Sequence, residues 1–196
     1  MMKQMRLSKK VSNIQVKRVF VASDLGKPSK SGPPRFEAVK RRVKKMDRKQ
    51  LDRRISSHSE HRLAAYDALD WHLGTATVNE VAVWQGAGGL PKPWTKGSLR
   101  QTGDIVRVAL AKRSKRLKKR VKRALPGIIK YSLETIQKDP YFLPIILPSG
   151  TMPHCRQGMK KYKGDIDDGC MRSIALAVSG KKVIRAYIGK NKKHGK

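Results

Sequence analysis

Residues 104–125 read DIVRVALAKRSKRLKKRVKRAL, and two patterns run through this stretch. Its apolar residues recur at spacings of three or four, or at multiples of them, which places them along one stripe of a helix. They are Val106, Leu110, Leu117, Val121 and Leu125. The pattern predicts a single helix over residues 104–125 whose first turns, with Val106, Val108 and Leu110, pack on a core, and whose second half extends away from it as an arm.

The second half of this helix is strongly cationic. Nine lysines and arginines lie between residues 112 and 123, and no carboxylate is interleaved with them. A helix this uniformly positive repels itself unless a polyanion lies against it, so a phosphate backbone is the simplest partner. The alternative interpretation is a solvated, lysine-rich surface helix.

The whole chain has the same charge bias. Its 196 residues include 46 lysines and arginines against 14 aspartates and glutamates, which gives a net charge of +32. Such a field destabilises an isolated fold, and nucleic acid is the commonest neutraliser. DNA is favoured over RNA, since the sequence has no RNP-type aromatic string for single-stranded RNA. No membrane partner is expected, because no basic helix has the Trp, Phe and Leu face that enters a lipid interface.

Charge divides the chain into four predicted segments. Residues 1–56 carry a net +14 and are predicted to be a basic arm with a short strand, a linker and an amphipathic helix. Residues 57–111 are a neutral helical module, and residues 112–138 are a basic helix with a net charge of +10. Residues 139–196 carry +8 and combine a proline-rich stretch, a β-hairpin and a basic disordered tail.

Hydrophobic periodicity supplies the predicted elements of these segments. They are a short strand at 14–20, helices at 36–54, 59–73 and 104–125, and hairpin strands at 174–178 and 184–188. Pro126 is expected to break or kink the basic helix. The predicted fold class is therefore α+β and mainly helical, with a small helix-turn-helix-like core, a long basic helix and a C-terminal hairpin.

The core prediction depends on TVNEVAVWQGAGGLPKPWTKGSLRQ, residues 77–101. A short helix, a glycine turn and a further helix opened by Thr95 have the outline of a helix-turn-helix. The stretch resembles the helix-turn-helix end of large serine recombinases and related mobile-element proteins, which implies a DNA reader with base contacts from Lys96 and Arg100. A small helical core with a glycine turn is the alternative.

The acidic residues cluster once, in KGDIDDGCMR at residues 163–172. Asp165 and Asp167 are spaced i, i+2, so on a strand they point the same way and could hold Mg²⁺, as in metal-dependent nucleases. The stretch resembles the D-x-D-N signature of phage-type Holliday-junction resolvases, with Asp168 at the asparagine position and Met171 at the lysine position. The alternative is a turn before the hairpin, completed by Gly169.

A further resemblance covers roughly residues 104–189. A long helix, a proline-rich excursion and DGCMRSIALAVSGKKVIRAYIG resemble the G-x-L-R-x-S-I motif and following β-hairpin of phage tail-completion or neck proteins. The pattern falls on Gly169, Met171, Arg172, Ser173 and Ile174, with Met171 in place of the leucine. The resemblance implies a virion component that lies near packaged DNA.

The sequence lacks the motifs of several other kinds of functional site. Cys155 and Cys170 are too few for a disulfide framework, and together with His154 they show no paired zinc-ligand spacing. GAGG at residues 86–89 lacks the lysine and hydroxyl residue of a phosphate-binding P-loop, and no cofactor is expected. The first 20 residues lack an apolar segment of signal-peptide length, so we expect a cytoplasmic, nucleoid-associated or virion location rather than secretion.

These observations predict a non-enzymatic protein of phage, virus or mobile-element origin that binds nucleic acid through its phosphates. Two alternatives stay open: a structural subunit of a nucleoprotein assembly, such as a virion or ribosome-like particle, and a Mg²⁺-dependent nuclease using Asp165 and Asp167. The predicted nucleic-acid-binding residues are Lys40, Arg41, Arg42, Lys44, Lys45, Lys96, Arg100, Arg107, Lys112, Arg113, Lys115, Arg116, Lys118, Lys119, Arg120, Lys122 and Arg123.

Overall fold

The structure, a computed structural model, describes residues 5–26, 36–131, 137–153 and 162–192. The strands are β1 (Arg6–Val11), β2 (Leu69–Thr77), β3 (Val81–Val83), β4 (Ile145–Pro148), β5 (Gly164–Asp168) and β6 (Val183–Asn191). The helices are α1 (Asn13–Leu25), α2 (Phe36–Lys45), α3 (Arg48–Ser56), α4 (Glu60–Ala68), α5 (Leu99–Ala111), α6 (Lys119–Tyr131) and α7 (Cys170–Val178). The predicted mixture of helices and strands is confirmed at this level.

The strands form one mixed sheet in the order β1-β2-β6-β4-β5-β3. Its longest ladder is the antiparallel pair β2 and β6, which runs from Leu69 opposite Asn191 to Thr77 opposite Val183. β4 lies parallel to β6 and antiparallel to β5, and β3 pairs with β5 in parallel. Segments 1–56, 57–111 and 139–196 therefore contribute strands to the same sheet.

Helices cover both faces of the sheet. Successive strand residues point to opposite faces, and they divide between two cores. Ile145 and Leu147 of β4 pack in the core that includes α1 to α4, whereas Ile146 packs in the core that includes α5 to α7. On β6, Tyr187 faces the first core, and its neighbour Ile188 faces the second. The fold is a three-layer sandwich with the sheet in the middle.

Local sequence fixes where several helices begin. Ser98 and Gln101 form a capping box at the start of α5, and Asp47 and Gln50 form one at the start of α3. α5 then approaches α7 closely, because a Cβ atom on Gly103 would lie 2.6 Å from Cβ of Ala177. These contacts hold the helix that precedes the basic stretch against the core.

The predicted helix-turn-helix core is not what the structure shows. Residues 69–77, placed partly in a helix, are strand β2, and Val81–Val83 is strand β3. The glycine-rich stretch forms the 3-10 turns Ala87–Gly89 and Lys92–Thr95 instead of a turn between two helices. Partners distant in sequence override local propensity here, because β2 and β3 are completed by β6 and β5.

The prediction of the first strand of the C-terminal hairpin is also wrong. Cys170–Val178 is helix α7, and only the second predicted strand is confirmed, as part of β6. Residues 173–178 are all buried. Their alternation of large and small apolar side chains therefore does not distinguish a buried face from an exposed one. A short run buried on every side has no periodicity that separates helix from strand.

Elements of the N-terminal half differ in a similar way. Residues 14–20 belong to helix α1, and the first strand lies before them at Arg6–Val11. The helix predicted at 36–54 is two helices, α2 and α3, because Asp47 caps a new helix. Most of the predicted linker and the ends of both predicted tails fall on residues 27–35, 1–4 and 193–196, which lie outside the described residues.

The long basic helix is interrupted. Residues 104–125 fall in α5 and α6, which are separated by a turn at 112–118 where Arg113 has a φ of 47°. Pro126, expected to break the helix, lies inside α6. Leu125, Ile128 and Ile129 pack against the core around this proline, and this packing offsets the missing backbone hydrogen bond. The proline-rich stretch that follows is extended in part, as predicted, and supplies β4.

Candidate nucleic-acid interface

The basic stretch is anchored along its length. Leu117, Val121 and Leu125 are 2%, 3% and 0% exposed and pack in the core beneath α7. Val108, which we expected to pack, is 49% exposed. The expectation that only the first turns pack and the second half extends away is therefore wrong. The core therefore anchors the backbone from which the cations of this stretch extend.

These cations face solvent. Lys112, Arg113, Lys115, Arg116, Lys118 and Lys119 are all exposed, and we call them the α5–α6 patch. None of them forms an ion pair with a carboxylate of the described residues. Lys122 is half-buried and donates a hydrogen bond to the Arg113 carbonyl oxygen at 3.2 Å, which ties α6 to the preceding turn. Arg120 and Arg123 lie in α6, with side chains outside the described part of the structure.

A second group of cations lies on α2 and α3. Arg41, Arg42, Lys45, Lys49 and Arg53 are exposed, and we call them the α2–α3 patch. Within the described residues none of the five is paired with a carboxylate. Val43, Leu51 and Ile55 are fully buried on the opposite sides of the same helices. Lys49 and Arg53 were missed from the sequence, although their positions follow directly from the helix that Asp47 caps.

Two predicted residues of α2 have partners inside the protein. Lys40 forms ion pairs with Asp139, at 2.8 Å, and with Glu37, and its side chain is only 18% exposed. The hydrogen bond to Asp139, followed by that to Glu37, raises the pKa of Lys40 above its ordinary value. Lys44 lies 5.9 Å from the ring centroid of Tyr141. Lys40 therefore serves the fold, because its charge is already neutralised.

The three cations predicted around the helix-turn-helix lie just before α5 and along it. Lys96 is exposed and follows the turn Lys92–Thr95. Arg100 and Arg107 are exposed and both pair with Asp104, so this carboxylate partly offsets their charge. Without a helix-turn-helix there is no recognition helix to present them to base edges. Lys96 and Arg100 lie at the N-terminal end of α5, the opposite end from the α5–α6 patch, which follows Ala111.

Most carboxylates are committed to the fold. Ten of the thirteen that the structure describes form ion pairs. Lys17, which is fully buried, binds Asp52 and Asp67 at 2.6 and 2.8 Å. Because the acids are used in such contacts, few are left to neutralise the two patches. The excess positive charge is thereby concentrated where solvent and partners can reach it.

The acidic cluster forms strand β5, not a turn. Asp167 accepts hydrogen bonds from Arg62 Nε and Nη2, at 2.8 and 3.0 Å, and from the Tyr66 hydroxyl at 2.8 Å. Burial, and then the charge of Asp167, raise the pKa of Tyr66 well above its ordinary value. Asp168 pairs with Arg172 at 2.7 Å. Sequence offers no local signal for the Arg62 contact, because the two residues are 105 positions apart.

Asp165 has a different environment. It is 1% exposed and accepts hydrogen bonds from the Gly150 amide at 2.8 Å and the Ser149 hydroxyl at 3.3 Å. Burial raises its pKa to about 6. Asp165 and Asp167 share a face of β5, as the spacing predicts, but a divalent cation bound by both would have to displace Arg62. Among the described residues no three His, Cys, Asp or Glu side chains are placed to hold a metal ion.

Comparisons with protein-family models, with curated proteins and with solved structures gave no significant match. In the described part of the chain, the helices are too short or too polar to cross a membrane.

Proposed function

We propose that this protein binds nucleic acid, with DNA favoured over RNA, through the phosphate backbone and without a catalytic step. The observation that carries the proposal is the α5–α6 patch: six exposed cations within eight residues, no carboxylate paired to them among the described residues, and a buried apolar stripe beneath them. An array of this kind suits a polyanion, because the packed backbone is already in place and only the side chains have to be ordered on binding.

The driving force would be the release of counterions condensed on the phosphates. Each phosphate that a lysine or arginine neutralises frees about one such ion. Contacts of this kind position a protein without reading sequence. The α2–α3 patch, with Lys96, Arg100 and Arg107, would add to the affinity in the same way.

The first test is the identity of the polymer that accompanies the protein. The full chain is purified at low salt, and separate samples are treated with DNase or RNase. The nucleic acid that remains bound to the protein is then measured by ultraviolet absorbance. The proposal expects DNase to remove the bound polymer. A variant with Lys112, Lys115, Lys118 and Lys119 changed to Gln should carry several-fold less of it. Protein that is free of nucleic acid at low salt would contradict the proposal.

A second candidate function is a structural subunit of a nucleoprotein assembly, such as a virion or a ribosome-like particle. The observation that favours it is that one cationic patch lies on α2 and α3 and another mainly in the turn between α5 and α6, on the other side of the sheet, which suits a protein surrounded by nucleic acid. A free regulator should protect a defined site on DNA in a footprinting experiment. An assembly subunit should co-sediment with a particle and show no preferred site.

A further inference from the structure

The two cationic patches lie on opposite sides of the central sheet. The α5–α6 patch is anchored by Leu117 and Val121, which share a core with Ile146 of β4. The α2–α3 patch is anchored by Val43 and Leu51, which share the other core with the next strand residue, Ile145. Because adjacent residues of a strand point to opposite faces, the sheet separates the patches.

The separation is large compared with the reach of a side chain. Packed layers are spaced by about 10 Å, so the outer surfaces of the two helix layers are roughly 30 Å apart. Roughly nine base pairs of duplex cover that distance. A duplex that touched both faces would have to reverse direction over a similarly short length. Bending 20–30 base pairs by only 40–90° already costs about 1–6 kcal/mol, so one straight segment contacts one face.

Both patches have the same chemistry, and both lack carboxylate partners in the part of the chain that the structure describes. Each combines exposed lysines and arginines with buried apolar residues, on α2 and α3 in one patch and mainly in the turn between α5 and α6 in the other. Neither has an ion-paired member among the described carboxylates. If one patch binds phosphates, the other satisfies the same physical conditions.

We propose that the α2–α3 patch is a second duplex-binding surface, so that a single molecule bridges two DNA segments, one on each side of the sheet. This inference rests on the proposed function, because it assumes that the α5–α6 patch binds DNA. It adds a geometric consequence, which is that the protein brings separate duplexes, or distant parts of one duplex, together.

The test is a bridging assay with the full chain. One biotinylated duplex is held on streptavidin beads, protein is added, and capture of a second, fluorescent duplex is measured. Two variants remove four charges each: Arg41, Arg42, Lys45 and Lys49 to Gln, or Lys112, Lys115, Lys118 and Lys119 to Gln. The matched control changes Lys9, Lys181, Lys182 and Lys190 to Gln, which are exposed and outside both patches.

We expect the native protein and the control to capture the second duplex. Each patch variant should still bind the first duplex but lose about tenfold or more of the bridging, because one surface is weakened. Bridging that survives in either patch variant would overturn the inference, since it would come from self-association through identical surfaces. Binding of the first duplex without bridging by the native protein would overturn it too. Failure to bind the first duplex would contradict the proposed function itself.

Discussion

The carboxylate of Asp167 and the cations of the α5–α6 patch have opposite electrostatic environments. Asp167 has a side chain with no exposed surface and three hydrogen-bond donors around it, from Arg62 and Tyr66. The patch has six exposed cations and no counter-charge among the described residues. In the first region Asp167 is paired within the fold, and in the second no carboxylate of the described residues is paired with the cations, so we expect their partner to come from outside.

This difference distinguishes the paired charges that stabilise the fold from the exposed charges that are available to a partner. A buried pair depends on both members, since removing one leaves an uncompensated charge. Exposed like charges repel one another weakly across water, and salt screens them. Stability should therefore respond strongly to changes around Asp167 and little to changes in the patch, while nucleic-acid affinity should respond in the opposite way.

The largest expected effect on stability is that of Asp167→Ala. It leaves the Arg62 guanidinium, whose side chain is 15% exposed, and the Tyr66 hydroxyl without their acceptor. We expect the free energy of unfolding in urea to fall by about 4 kcal/mol. The control is Asp70→Ala, which breaks a more exposed pair with Lys10 and should cost below about 1 kcal/mol. Equal losses in the two variants would mean that the buried network has no special role.

Leu125→Ala tests whether the helix beneath the patch belongs to the core. Leu125 is fully buried, so we expect a loss of about 3 kcal/mol in the free energy of unfolding. Val108→Ala on α5 removes a half-exposed side chain and should change it by less than about 0.5 kcal/mol. A small effect of Leu125→Ala, measured by urea denaturation, would restore the interpretation that α6 is a protruding arm.

Asp165 should make stability depend on pH. Its pKa is about 6 in the fold and close to 4 when unfolded, so the folded state binds more protons between these values. Its contribution is fully present below about pH 4 and lost as the pH rises through about 6, a change of about 3 kcal/mol. Asp165→Asn should remove this fall from the measured free energy of unfolding. A native protein and variant with parallel pH profiles between pH 4 and 7 would contradict the assignment.

The smallest expected effect on stability comes from the patch itself. Changing Lys112, Lys115, Lys118 and Lys119 to Gln should alter the free energy of unfolding by less than about 1 kcal/mol, because these side chains are exposed. The same variant should lower the magnitude of the log–log salt slope for duplex DNA by roughly 3 to 4. The control at Lys9, Lys181, Lys182 and Lys190 should leave the slope nearly unchanged.

The core-facing side of the basic stretch was predictable from sequence, because Leu117, Val121 and Leu125 keep helical spacing and all three are buried. The break between α5 and α6 was not, since residues 112–118 contain neither glycine nor proline. The turn there has Arg113 at positive φ, and the Lys122 ammonium contributes a hydrogen bond to its carbonyl. Long-range packing therefore determines where the stretch bends.

The candidate site was predictable from sequence only where its cations are neighbours along the chain. The exposed cations of residues 112–119 follow from a run without acids. The ion pair that neutralises Lys40 does not follow from the sequence, because its partner Asp139 is 99 residues away. The same holds for strand β2, which sequence periodicity assigned partly to a helix, since its pairing partner β6 lies more than a hundred residues later. Contacts between distant segments carry no signature in a single sequence.

The salt dependence of binding tests the central claim most directly. The association constant of the full chain for a duplex oligonucleotide is measured by fluorescence anisotropy over a series of KCl concentrations. If about ten cations contact phosphates, the slope of log K against log salt approaches roughly −9. A slope flatter than about −3 would show that phosphate contacts do not drive binding, and would contradict the account.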